Sequence, residues 1–240
     1  MCYVDYGTFG TNFQKTIMFN STTTNNMSTT SGVQPIGTTA LLSSAYFPPV
    51  QWMQKLHRYN KVYVERNDNF CKQTYRNRCV IATANGVQAL TVPIERFEGA
   101  KCPMRDIRIS DHGEWRHLHW NAIVSAYGES PFFDYYADDL RPFFERKWQY
   151  LFDFNMEIVS KLCELLDVRP HISLTDTYAD AALLGADDLR DAIRPKHPAA
   201  DPAFEPRPYY QVYAARHGFQ PNMSVLDLLC NEGPEGIFYL

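Results

Sequence analysis

Three cationic side chains, Lys72, Arg76 and Arg78, recur at close spacing in the segment FCKQTYRNRCVIATANGVQALTVP, residues 70–93. On an extended strand, residues two or four positions apart point to the same side. If the segment is a strand, the three cations line one face and Asn77 lies on the other. Guanidinium groups bind phosphate and carboxylate in a bidentate fork. The spacing therefore predicts a clamp for an anionic small molecule, with Asn77 binding a hydroxyl.

The same cations also fit a structural interpretation. Acidic residues occur at Glu65, Asp68 and Asp106, and any of them can pair with the cationic row. A row of charges on a solvated strand face is equally compatible with the spacing. From the sequence alone, these alternatives stay open.

His119 is a second candidate. If residues 115–127 are helical, Trp115 and His119 lie one turn apart on the same face. Imidazole titrates near neutral pH, so His119 can act as a general base or acid; the alternative is a core histidine that donates to a backbone carbonyl. His112 and His117 are close in sequence, but positions 117 and 119 point about 200° apart on a helix. No metal site is predicted.

Two further groups of residues are candidates for a ligand site. One combines polar residues with aromatic rings, and the other lies at a predicted turn. Tyr127 and Asp134 accompany the aromatic run 132–136. Such rings can stack on a sugar or a base while Asp134 acts as an acid or base, although rings in such runs also form ordinary cores. Asn231 and Glu232 follow a short predicted helix, and a loop there can close over a ligand.

Composition excludes several classes of protein. The 240 residues carry a net charge of −4, so a bulk basic field for nucleic acid is absent. No apolar run is long enough for a transmembrane helix, and no secretory signal is visible. The six cysteines form no C-x-x-C pair, which favours reduced thiols in a cytoplasmic protein. The partner indicated is a small molecule, and the cofactor is unknown.

The polar run NSTTTNNMSTT, at 20–30, cannot bury enough apolar surface to offset the entropy of ordering it. Residues 1–38 are therefore predicted to be a disordered tail and 39–240 a single domain. Strand patterns come first and helical patterns later. The predicted fold class is α+β, with a β-rich N-terminal half that contains an antiparallel hairpin and a helical C-terminal half packed on it.

Local patterns place the individual elements. Predicted strands lie within 40–49 and at 61–65, 79–83, 87–92 and 106–109, with Asn85-Gly86 as the hairpin turn. Predicted helices lie at 50–59, 115–127, 148–166, 187–193 and 224–231, and another begins at Ser130-Pro131. Ser224 and Asp227 have the spacing of a capping box. No βαβ alternation or glycine-rich phosphate loop is apparent, which disfavours glycosyl transfer on a doubly wound fold.

Seven segments, in order across residues 41–240, resemble the WbqC-like protein family. They are AYFPPVQWM (45–53), KQTYRNRC (72–79), NGVQALTVP (85–93), W-x3-HW (115–120), AYGESPFFDYYAD (126–138), LFDFN (151–155) and PNMSVLDLLCNEGPE (221–235). The family is named for its association with bacterial O-antigen biosynthesis. The resemblance implies work on surface-polysaccharide precursors, such as nucleotide-linked amino sugars, and it supplies no mechanism.

The leading hypothesis is a bacterial transferase of surface-polysaccharide biosynthesis that moves an acyl or aminoacyl group to a nucleotide-activated amino sugar. In this hypothesis the three cations hold the diphosphate and His119 takes the proton of the attacking amine. The alternatives are a non-catalytic binding module for phosphorylated sugars and a scaffold within a biosynthetic complex. Binding without turnover distinguishes the first alternative, and an exposed aromatic patch without small-molecule binding distinguishes the second.

Overall fold

A mostly parallel sheet and an antiparallel hairpin organise the chain in this computed structural model, which describes Thr16–Ile17 and residues 36–240. The strands within this part are β1 (Thr16–Ile17), β2 (Gly37–Ser43), β3 (Tyr59–Glu65), β4 (Arg78–Thr83), β5 (Gly86–Thr91), β6 (Ile172–Leu174) and β7 (Asp187–Asp188). The α-helices are α1 (Val50–Arg58), α2 (Trp115–Tyr127), α3 (Phe133–Leu140), α4 (Pro142–Glu145), α5 (Leu151–Leu165), α6 (Ala181–Leu184), α7 (Ala214–His217) and α8 (Val225–Glu232).

The larger sheet has five strands in the order β1-β6-β3-β2-β7. The pairs β6–β3, β3–β2 and β2–β7 are parallel, and β1 pairs antiparallel with β6. Because β2, β3 and β6 run in the same direction, their carboxyl ends meet at one edge of the sheet. In open sheets of parallel strands, that edge is where ligands bind.

The succession β2-α1-β3 is a βαβ unit, so the expectation that βαβ alternation is absent was wrong. The strand β2 begins at Gly37, within the predicted tail of 1–38, and it ends at Ser43, short of the predicted Pro48. The helix that follows has only nine residues. The strand, helix and strand predicted at 40–49, 50–59 and 61–65 already have this order, but a sequence pattern does not show that the two strands pair in parallel. Of the predicted tail, only Thr16–Ile17 and residues 36–38 are among the described residues.

The predicted hairpin is confirmed. Strands β4 and β5 pair antiparallel from Arg78 and Thr91 to Thr83 and Gly86, so the turn consists of Ala84 and Asn85, one residue before the predicted Asn85-Gly86. Gly86 adopts a φ of 101°, a conformation that glycine reaches without the clash a Cβ would cause. Residues 72–77 form turns rather than the first part of a strand.

Helices dominate the second half, and the predicted α+β class is confirmed. The helix α5 buries nine side chains, including Phe154, Ile158 and Leu162, against the strands and the other helices. Rings from separate segments meet in this core. Tyr46 lies 5.7 Å from Phe154 between ring centroids, and Phe47 stacks on Phe144 at 5.8 Å. This aromatic core accounts for much of the ring content of the sequence.

Three local predictions were wrong. Residues 106–109 form the end of a 3₁₀ turn followed by isolated bridges, because they pack beside α5 without a continuous partner strand. Residues 187–193 form β7 and turns instead of a helix, since Asp187 and Asp188 pair with β2. Ser130 does not cap a helix: α3 begins at Phe133.

The Ser224 cap is confirmed, because its Oγ accepts from the backbone N–H of Leu226 at 3.3 Å. The reciprocal half of the predicted capping box is absent. The side chain of Asp227 turns instead to Tyr209, whose hydroxyl donates to Oδ2 at 2.7 Å.

Candidate functional site

Arg76 is a buried residue whose guanidinium is engaged within the protein. Its exposed fraction is 5%. The Nε group donates to Asp68 Oδ2 at 3.1 Å, and Nη2 donates to the same oxygen and to Ser43 Oγ at 2.6 Å. Burial raises the pKa of Asp68, and the Arg76 charge opposes that shift. Of the interpretations left open by the sequence, this placement matches the ion pair with Asp68.

The other members of the predicted row lie apart from Arg76. Lys72 is exposed in a turn, and Arg78 opens β4 with its Nε donating to Thr91 Oγ1 at 3.0 Å. Asn77 is buried, and its amide donates to the backbone carbonyl of Val92 at 2.9 Å. The prediction that three cations share one strand face was therefore wrong, because the chain turns before β4 begins. Their roles in ligand binding stay predictions.

His119 lies in the aromatic core, on the face of α2 that also carries Trp115. The two ring centroids are 5.1 Å apart, and His119 Nδ1 is 2.9 Å from the hydroxyl oxygen of Tyr46. Burial lowers the pKa of His119 to about 4, and a hydrogen bond to the backbone of Thr91 opposes the shift. The ring is therefore neutral at pH 7. This environment favours the core-histidine interpretation, and proton transfer by His119 stays a prediction.

Tyr127 and Asn231 are buried near a single carboxylate, that of Asp227. The amide of Asn231 donates to the backbone carbonyl of Asp227 at 2.7 Å, and the Asp227 charge helps burial to raise the pKa of Tyr127. Glu232 lies next to Asn231, and its Oε1 accepts from the backbone N–H of Tyr210 at 2.7 Å. The Glu232 contact attaches the segment before α8 to the helix, whereas the Asn231 contact lies within α8.

Asp134 sits on the exposed side of α3, away from that cluster. Its neighbour Tyr135 has a 76% exposed ring, whereas Phe133 and Tyr136 are buried. Half of the aromatic run therefore belongs to the core, as the structural interpretation expected. Asp134 as an acid or base stays a prediction.

A cavity of about 490 Å³ opens beside β3 and β6. None of the motifs in the sequence pointed to it. Its roof is the segment 173–184, which ends in α6. The polar and aromatic side chains that line the cavity belong to Lys61, Tyr63, Ser173, Thr175, Asp176, Thr177, Tyr178 and Asp180. The volume lies within the range of about 300–1,000 Å³ typical of small-molecule sites.

The floor of the cavity comes from one face of β3. Val62 and Val64 turn into the core, so Lys61 and Tyr63 emerge on the opposite face. Lys61 Nζ donates to the Tyr63 hydroxyl oxygen at 2.6 Å and lies 4.3 Å from the centroid of the ring. An ammonium group has three donors, and Tyr63 keeps its own proton. Both groups therefore retain capacity to bind a ligand.

The roof is fixed to the end of β3 by Glu65, which has no exposed surface. Its carboxylate accepts from Thr175 Oγ1 at 2.5 Å and from the backbone N–H of Ala179 at 2.7 Å. Arg190 lies 3.5 Å from the same carboxylate and 4.7 Å from the centroid of the Tyr178 ring. The ring of Tyr178 is held in place while 63% of the residue stays exposed.

A sequence signal for the floor was present. The alternation in KVYVE predicts a strand with apolar residues on one face and Lys61, Tyr63 and Glu65 on the other. The roof gave no comparable signal, because Thr175 lies 110 positions away from Glu65 and β6 has only three residues.

Two other features are absent from the part of the chain that the structure describes. Within residues 36–240, no three His, Cys, Asp or Glu side chains are arranged to hold a metal ion. Over the same part of the chain, no helix has the length and apolar character needed to cross a membrane.

Comparisons with known proteins agree with the resemblance drawn from the motifs. The model of the WbqC-like protein family matches residues 43–191, which include β3 and the roof of the cavity. The chain is also similar to the uncharacterized protein Rv1507c of Mycobacterium tuberculosis, with 24% identity over 226 residues, covering 84% of this chain and 96% of that protein. No solved structure matches. Because the family match spans more than half of the sequence, the chain belongs to the WbqC-like protein family.

Proposed function

We propose that this protein is a transferase of surface-polysaccharide biosynthesis that binds a nucleotide-linked amino sugar in the cavity beside β3. The observation that carries the proposal is the position of that cavity. It opens on the sheet where the parallel strands β3 and β6 end, and its lining is held by hydrogen bonds of Glu65. Preorganised polar groups lower the cost of ordering a site when a ligand binds.

Each side chain has a role that follows from its chemistry. The ammonium of Lys61 neutralises a phosphate, and the Tyr63 hydroxyl donates to a phosphate or sugar oxygen. The exposed ring of Tyr178 stacks on the base or on the apolar face of the sugar. Asp176 lines the same cavity, and its carboxylate accepts from hydroxyl or amine donors of the ligand.

The acyl or aminoacyl transfer proposed here needs a group that removes a proton from the attacking sugar amine. We assign that role to Asp176 in place of His119, because Asp176 lines the cavity and is 61% exposed at its side chain. Arg66 lies 3.1 Å from Asp176 and orients it. Asp180 also lines the cavity, but its carboxylate already caps α6.

A thermal-shift screen against nucleoside-diphosphate sugars tests this function. A ligand at ~100 times its dissociation constant adds about 2.7 kcal/mol to the stability of the protein. We expect the shift to be lost in Lys61→Ala and retained in Lys101→Ala, a matched change of an exposed lysine outside the cavity. Failure of every nucleotide sugar to stabilise the wild type, or equal losses in the two variants, contradicts the proposal.

A non-catalytic binding module is the second candidate, and the burial of His119 favours it, because the predicted base does not line this cavity. The two candidates differ in turnover. Incubation of the protein with a bound nucleotide amino sugar and a panel of acyl donors, followed by mass spectrometry, separates them. If the wild type increases the mass of the sugar and Asp176→Asn does not, the result supports the transferase. Tight binding without conversion supports the module.

A further inference from the structure

A second cavity, of about 390 Å³, lies between α2 and α4. Its lining shares no residue with the cavity beside β3. Trp120 and Phe144 form an apolar wall, with their ring centroids 5.6 Å apart. None of the residues around this cavity has a role in the function proposed above.

Charges of both signs surround the apolar wall. The cations are Arg116, Arg141 and Lys147, and the acids are Asp111, Glu114 and Glu145. A simple anion would meet three carboxylates, and a simple cation would meet three positive groups. A ligand that carries both charges satisfies both sets, because binding favours complementary potentials.

The charged groups are paired in ways that a ligand can replace. Asp111 accepts from Arg116 and from Lys147, and these hydrogen bonds lower the pKa of Asp111 to about 2, so it is ionised at neutral pH. Arg141 and Glu145 pair at 2.7 Å with more than half of each side chain exposed. Exposed ion pairs contribute little to stability, so exchange of partners costs little.

The backbone at the mouth of this cavity is strained. Gly113 and Glu114 have φ values of 86° and 49°, both in the left-handed region. Residues other than glycine rarely adopt this conformation, and such strain clusters at binding sites. Here it sets the position of Glu114 immediately before Trp115, the first residue of α2.

We propose that this cavity binds a free α-amino acid with an apolar side chain. The carboxylate of the ligand pairs with Arg141 and Lys147, its ammonium group pairs with Glu114, and its side chain packs on Trp120 and Phe144. This is a second ligand site, independent of the nucleotide sugar proposed for the cavity beside β3.

Isothermal titration of the full-length chain with three probes tests the charge requirement. L-Phenylalanine carries both charges, phenylacetate lacks the ammonium group, and phenethylamine lacks the carboxylate. We expect L-phenylalanine to bind and each analogue to bind at least about tenfold more weakly, because each loses charge-assisted hydrogen bonds. Absence of saturable L-phenylalanine binding, or equal affinity for phenylacetate, overturns the proposal.

Two variants locate the site. Arg141→Ala and Glu114→Gln change exposed side chains at the cavity, and Glu129→Gln is a matched change of an exposed residue outside it. We expect the first two to weaken L-phenylalanine binding about tenfold or more and Glu129→Gln to leave it unchanged. L-Phenylalanine binding that is insensitive to both cavity variants places the amino acid elsewhere and overturns the assignment.

Discussion

Polar residues beside the parallel strands form two groups that differ in what they contact. The buried group is Arg76 with its partners, and the open group is Lys61 with Tyr63. Arg76 is 5% exposed, and its guanidinium is held by Asp68 and Ser43. Lys61 and Tyr63 contact each other and face an open cavity. Residue type and spacing drew attention to Arg76, yet the open group has the capacity for a ligand. A charged group is therefore available to a ligand only where the protein has not already paired it.

The largest expected effect comes from breaking the buried pair. Asp68→Ala leaves the Arg76 guanidinium buried without its counter-ion, which costs about 3–5 kcal/mol of unfolding free energy. Urea denaturation measures this loss. The matched control is Asp106→Ala, which removes an exposed partner 3.7 Å from Arg105 and should cost about 0–1 kcal/mol. Similar losses in the two variants contradict a structural role for the Arg76 pair.

A second effect concerns His119 and pH. Its pKa is about 4 in the folded protein because burial disfavours the charged ring. The unfolded chain therefore binds more protons between pH 6.5 and 4, and stability falls as the pH drops through this range, by on the order of 3 kcal/mol. We expect His119→Gln to lack this fall when denaturation is repeated at each pH. A His119 imidazole resonance, assigned by its loss in His119→Gln, that titrates near pH 6.5 in the folded protein would disprove the buried placement of this ring.

Asp227 should make stability depend on pH in the opposite direction to His119. Burial raises its pKa to about 6, while Tyr209 and Gln211 donate to the carboxylate and oppose the shift. The folded protein binds more protons between pH 3.8 and 6, so this contribution to stability is lost as the pH rises, by about 2–3 kcal/mol. The difference in unfolding free energy between wild type and Asp227→Asn, measured from pH 4 to 7, should show that slope. A flat difference counts against the buried carboxylate.

The smallest expected effect is on the stability of the open group. Tyr63→Phe and Lys61→Ala remove polar groups that are partly exposed and face a cavity, so each should change the unfolding free energy by no more than about 1 kcal/mol. Melting curves without ligand measure this. A loss of unfolding free energy as large as that of Asp68→Ala would mean that Lys61 and Tyr63 stabilise the fold as the Arg76 pair does, and the two groups would not differ.

Local signals predicted much of the fold. Asn85-Gly86 predicted the hairpin, and helical spacing predicted α2 with His119 beside Trp115 on one face. The candidate site was harder, because its roof depends on the contact of Glu65 with Thr175, far along the chain. Local pattern contains no information on such pairs. It also could not tell whether Arg76 faces a ligand or an internal carboxylate.

Titration of Lys61→Ala and Lys72→Ala with a nucleoside-diphosphate amino sugar shows whether the ligand binds in the cavity beside β3 or at the exposed turn before β4. Both changes remove one partly or fully exposed lysine, but Lys61 lines the cavity beside β3 and Lys72 lies in the turn that precedes β4. We predict that Lys61→Ala weakens binding about tenfold or more and that Lys72→Ala leaves it unchanged. Weaker binding in Lys72→Ala with wild-type affinity in Lys61→Ala would contradict the account.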